Sequence, residues 1–112
     1  MNLITARQRS LLLDNGKSLD SLLDRPPLVK LFTPDAAGTW LISAIDPESP
    51  DLAWGLCDPG LGTPELGWVS LTELASVTGR FRLPVCRDEF FRPRATLRAY
   101  VREAQEAGVI LA

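Results

Sequence analysis

The sequence predicts an α+β fold in a single domain spanning residues 1–112, and three observations carry that prediction. Capping signals open helical patterns near both ends, short strand-like runs punctuated by turn residues fill the middle, and the one self-similarity has too few copies for a repeat architecture. Composition agrees: 46% of the residues are hydrophobic and 23% charged, the balance of a chain that buries a core. A chain of 112 residues buries somewhat over roughly 60% of its unfolded surface, so neither a disulfide nor a metal is needed to hold it.

Residues 1–27 read as an N-terminal helical segment. Thr5 and Gln8 have capping-box spacing, Leu11, Leu12 and Leu13 give the helix an apolar side, and Gly16 ends it. The pattern "SLDSLLD" forms a short helix that Pro26 and Pro27 interrupt.

Residues 28–70 read as a β-meander of three or four antiparallel strands. "TWLISAI" (39–45) has apolar residues at both parities, as a strand covered on two faces requires. "LAWGLC" (52–57) and "LGWVS" (66–70) alternate large and small residues. Between them, "DPESPD" and "DPGLGTPE" are turn chemistry: Asp folds back on the backbone, Pro fixes φ and Gly accepts positive φ. "PDLAW" and "PELGW" share one form, and Trp40, Trp54 and Trp68 recur every 14 residues, which predicts tryptophans filling the core.

Residues 71–112 complete the domain with a helix, an edge strand and a C-terminal helix. Ser70 and Glu73 open the helix "LTELASVT", which Gly79 closes, and "RFRLPVCRDEFFRPR" supplies the edge strand and a loop. Thr96 caps the last helix, Leu97, Tyr100, Val101 and Ala104 form its packed side, and Gly108 ends it. The helices are expected on one face of the sheet.

The net charge of -2 conceals an uneven layout. Residues 1–30 hold five bases and three acids, residues 31–79 seven acids and no base, and residues 80–112 seven arginines and four acids. This asymmetry permits two opposite partner hypotheses. Glu48, Asp51 and Glu65 are the candidate acidic surface for a protein partner, which would act by imitating the phosphates of DNA in a basic groove. Arg92, Arg94, Arg98 and Arg102, interleaved with aromatic residues, are the candidate nucleic-acid surface, since guanidinium binds phosphate and aromatic faces stack on bases. The bland reading of the first group is turn formation beside proline, and of the second, neutralisation by Asp88, Glu89, Glu103 and Glu106.

Catalysis has little to work with. The chain has no histidine, the side chain best suited to proton transfer near neutral pH. Cys57 and Cys86 lie outside any CxxC arrangement and read as small buried hydrophobes. "GLGTPELG" lacks the lysine and following helix of a phosphate loop, and the acidic residues lack the alternate spacing of a calcium loop, so no cofactor and no metal is expected. Lys30 reads as lying on an exposed strand face. No apolar run reaches membrane-span length and the N-terminus lacks a secretory signal, so the expected location is the cytoplasm.

"LFTPDAAGTWLISAIDP", "GLCDPGLGTPELGWVSLTEL" and "LPVCRDEFFRP" together resemble the family catalogued as domain of unknown function 2958 (DUF2958), over about Leu31 to Pro93. The resemblance carries over no catalytic residue. It implies a setting, bacterial plasmids and integrative conjugative elements, and jobs such as DNA transfer, maintenance or evasion of host defence. The resulting expectation is a non-catalytic accessory protein that binds a macromolecular partner, such as a host-defence or DNA-processing complex. A sequence-tolerant DNA or RNA binder is the alternative, and an enzyme comes third.

Overall fold

In the computed structural model, which describes residues 3–79 and 81–112, the chain is α+β with a five-stranded antiparallel sheet. The elements run α1 (Ala6–Asn15), a 3-10 turn (Leu22–Asp24), β1 (Val29–Phe32), β2 (Thr39–Ile45), β3 (Leu52–Asp58), β4 (Glu65–Ser70), α2 (Leu71–Ser76), β5 (Cys86–Arg87) and α3 (Leu97–Ala107). The strand order is β4-β3-β2-β1-β5: a four-stranded meander to which β5 adds on the outer side of β1. Met1, Asn2 and Arg80, the first of the seven C-terminal arginines, lie outside the described residues.

The predicted caps form. The Thr5 hydroxyl accepts from the Gln8 N–H while the Gln8 side chain accepts from the Thr5 N–H, closing the box at the start of α1. The Thr96 hydroxyl accepts from the Ala99 N–H, and α3 ends at Gly108 with φ 74°, a left-handed conformation that glycine adopts without a Cβ penalty. Helix α2 stops sooner than predicted: Ser70 caps it through the Glu73 N–H, but Val77 is already extended, two residues before Gly79.

The helices occupy both faces of the sheet, which corrects the one-face expectation. Trp40, Ile42, Ile45 and Ala53 pack with Leu12 of α1 and with Leu71 and Leu74 of α2. Leu41 and Leu56, of opposite parity to Trp40 and Ala53, pack instead with Leu97, Tyr100 and Ala104 of α3. Side chains alternate across a strand, so these two clusters are the two faces. The β2 sequence is apolar at both parities because each parity meets a helix.

Two glycines let the layers close. A Cβ on Gly55 would lie 1.9 Å from the Leu41 carbonyl oxygen, and one on Gly16 would lie 1.8 Å from that of Ile45. Either contact forces the backbone apart.

The tryptophans divide. Trp40 is 3% exposed and sits in the α1 face, Trp54 is half-buried against α3, and Trp68 is 46% exposed. Only Trp40 fills the core as the spacing predicted. Lys30 is also not a bare exposed residue: it donates to the Ala112 carbonyl at 2.7 Å and pairs with Asp88 at 3.6 Å.

Candidate interaction site

The feature that the structure adds is the free edge at β4. Its ladder with β3 runs without a bulge from Leu52↔Ser70 to Cys57↔Glu65. The alternation of its hydrogen bonds follows from two contacts. Leu71 N–H donates to the Asp51 carbonyl, and Asp46 N–H donates to that of Leu52, so odd-numbered residues at this end of β3 face β4 and even-numbered ones face β2. Across the ladder Glu65, Gly67 and Val69 therefore bond to β3. The N–H and C=O groups of Leu66 and Trp68 point outward.

Their side chains share a face with Leu56 and Trp54, their cross-strand partners, and α3 does not reach far enough to cover them. Leu66 is 37% exposed and Trp68 46% exposed, and Leu61, in the loop leading into β4, is exposed as well. Beyond Ser70 the chain turns inward, because Leu71, Leu74, Val77 and Val85 all pack on the α1 face on the way to β5 at the other edge. That path leaves the β4 edge uncovered. The arrangement presents the outward N–H and C=O groups of two residues, in no ladder among the described residues, flanked by an aliphatic and an indole side chain, which is the chemistry used in strand addition.

The acidic candidates do not form one surface. Glu48 and Asp51 lie at the β2–β3 turn, while Glu65 stands opposite Cys57, near the far end of β3. Five strand residues, roughly 17 Å, separate Cys57 from Leu52 beside Asp51. Asp51 is structural: its carboxylate accepts from the Ser70 and Thr72 hydroxyls and from the Thr72 N–H. Those bonds, the Ser70 hydroxyl first, hold its carboxyl below the usual carboxylate range. Asp46 and Asp58 are turn formers as their sequence context predicts, accepting from the Glu48 N–H and from the Gly60 and Leu61 N–H groups respectively.

The arginine candidates are divided too. Arg94 is committed to Glu103 through its two terminal guanidinium nitrogens, to the Leu111 carbonyl, and to the face of Tyr100 at 5.0 Å. The hydrogen bonds between them raise the Arg94 pKa and lower that of Glu103. Arg98 bonds Asp24 at 3.0 Å and so ties α3 to the 3-10 turn. Arg92 and Arg102 are exposed and enter no ion pair among the described residues. Two of the four predicted phosphate ligands thus serve the fold.

Burial pushes the Cys57 thiol up to about 11, so it is a neutral thiol near pH 7. A shallow groove of about 380 Å³ lies where Arg9 of α1 meets Pro50, Asp51 and Thr72. Its carboxylate is the one already bound to Ser70 and Thr72.

Fold and edge together define a small α+β module with helices on both faces and one sheet edge left open. The chain belongs to the DUF2958 family: the model of "Protein of unknown function (DUF2958)" matches residues 3–111. Comparison with curated proteins and with solved structures returns no match. No helix among the described residues is long and apolar enough to cross a membrane.

Proposed function

We propose that this protein is a non-catalytic accessory protein of a bacterial mobile genetic element, acting in the cytoplasm by binding protein chains at the β4 edge. The observation that carries the reading is the outward-facing peptide groups of Leu66 and Trp68 beside their exposed side chains. Strand addition takes its affinity from main-chain hydrogen bonds and its specificity from flanking side chains, and both are present here. The mobile-element setting comes from the family resemblance, and it fits jobs that need a small protein to engage a host-defence or DNA-processing complex.

The test compares the wild type with a Leu66→Lys, Trp68→Lys double variant by photo-crosslinking from a probe residue in the β3–β4 loop, in bacterial cells. Crosslinks to protein chains that disappear in the folded double variant are expected. Undiminished crosslinking in that variant would overturn the assignment to β4.

A further inference from the structure

We propose that the occupant of the β4 edge is a second copy of this chain, paired antiparallel about a two-fold axis through Gly67, so that two five-stranded sheets become one of ten. This rests on the reading of β4 as a protein-binding edge and names its partner.

The register follows from geometry. A two-fold axis normal to the sheet maps each face onto itself, so residues that pair across it share a parity. The outward-facing groups are those of Leu66 and Trp68, and in the Gly67-centred register Leu66 of each copy exchanges both hydrogen bonds with Trp68 of the other. Four main-chain bonds result, together with two aliphatic–aromatic side-chain pairs on the face that α3 leaves bare. Gly67 meets Gly67 at the axis in a non-hydrogen-bonded position, at a Cα separation of about 4.5 Å. Nothing lies within 4 Å of where its Cβ would be, so this approach is open. A shift by two residues would place Leu66 against Ser70, where the chain leaves the sheet for α2.

Charge agrees with this pairing. Glu65 is the one charged residue of β4, and in this register it faces Val69 of the second copy rather than another carboxylate. It arrives one residue from Ser70, at the end of the strand where the groove holds Arg9 and where Asp51 is already bound by two hydroxyls. An edge of this length makes an interface at the small end of specific ones, so the dimer is expected to be weak and concentration-dependent.

Two measurements test this. Sedimentation equilibrium of the full chain from about 1 to 500 µM should show the mass rising from one chain toward two, with association weakened at least about 50-fold in the Leu66→Lys, Trp68→Lys variant. In a Cys57→Ala, Cys86→Ala background, Gly67→Cys should oxidise rapidly to a cross-linked dimer, because the axial separation suits a disulfide, while Glu65→Cys should not. A single-chain mass throughout, with Gly67→Cys no faster than Glu65→Cys, overturns the dimer. If cellular crosslinks to other proteins still depend on Leu66 and Trp68, only the occupant was wrong. If those crosslinks are indifferent to the double variant, the protein-binding edge falls as well.

Discussion

Strand β5 contributes two residues to its edge of the sheet, whereas β4 contributes six to the other. The short β5 is tied to β1 by local contacts. Asp88 N–H donates to the Lys30 carbonyl, and Lys30 reaches both Asp88 and the C-terminal Ala112. The turn before β5 is held from below, because the Asp35 carboxylate accepts from the Phe81 and Leu83 N–H groups. That clamp keeps Arg82 at φ 64°, a conformation costly for a residue with a Cβ. On β4 the ladder is regular and carries no proline, lysine or bulge, the devices that blunt exposed edges. One edge strand is therefore two residues long and tied to its neighbour by local contacts, and the other is six residues long and regular, which is the physical ground for proposing the interaction at β4.

The two edges hold two glycines that should behave oppositely. A Cβ on Gly79 would fall 1.6 Å from the Asp35 carboxylate, so Gly79→Ala should cost about 2–3 kcal/mol in chemical denaturation. Gly67→Ala should stay within about 0.5 kcal/mol, since its Cβ meets open space. Equal losses at the two sites would break the comparison. Next in size, Asp35→Ala should cost about 1–2 kcal/mol by releasing the turn amides, a loss that should leave self-association unchanged.

At the end of β4 the same contrast can be sharpened with pH. The Asp51 carboxyl is held below its ordinary value, so its contribution to stability is present above the usual carboxylate pKa of about 4 and is lost as pH falls through the lowered folded-state value. Asp51→Asn should therefore be less stable than wild type at neutral pH, and the two should converge in acid, as followed by thermal melts between pH 7 and pH 2. Leu66→Lys with Trp68→Lys should cost the isolated fold no more than about 1 kcal/mol per site, because the two side chains are already 37% and 46% exposed.

Much of this architecture was legible in the residues. Turn chemistry on both sides marked "TWLISAI", which is β2 residue for residue, and the Thr5 and Thr96 caps placed the two longer helices. Faces were harder, because they depend on register across a turn. The β2–β3 pairing sets Trp40 against Cys57, out of phase with Trp54, while β3–β4 sets Trp54 against Trp68. Equal spacing along the chain thus says nothing about a shared side of the sheet. The same limit hid α3 on the opposite face from α1.

The candidate site was legible only in part. Three of the charged residues singled out by composition are committed locally, Asp51 to α2, Arg94 to Glu103 and Arg98 to Asp24, because one-dimensional charge does not show which residues find partners. The signal for β4 was present in another form. A strand that ends a meander and leads into a helix crossing the sheet is left at an edge, and this one has neither lysine nor proline to guard it.

Amide hydrogen exchange at Leu66, Gly67 and Trp68, measured at low and at high protein concentration, tests the central claim most directly. An open edge that pairs on association predicts fast exchange for Leu66 and Trp68 when dilute and roughly tenfold or greater slowing when concentrated, with Gly67, bonded to β3, unchanged. Protection of Leu66 and Trp68 in the dilute protein, or no concentration dependence at either, would contradict it.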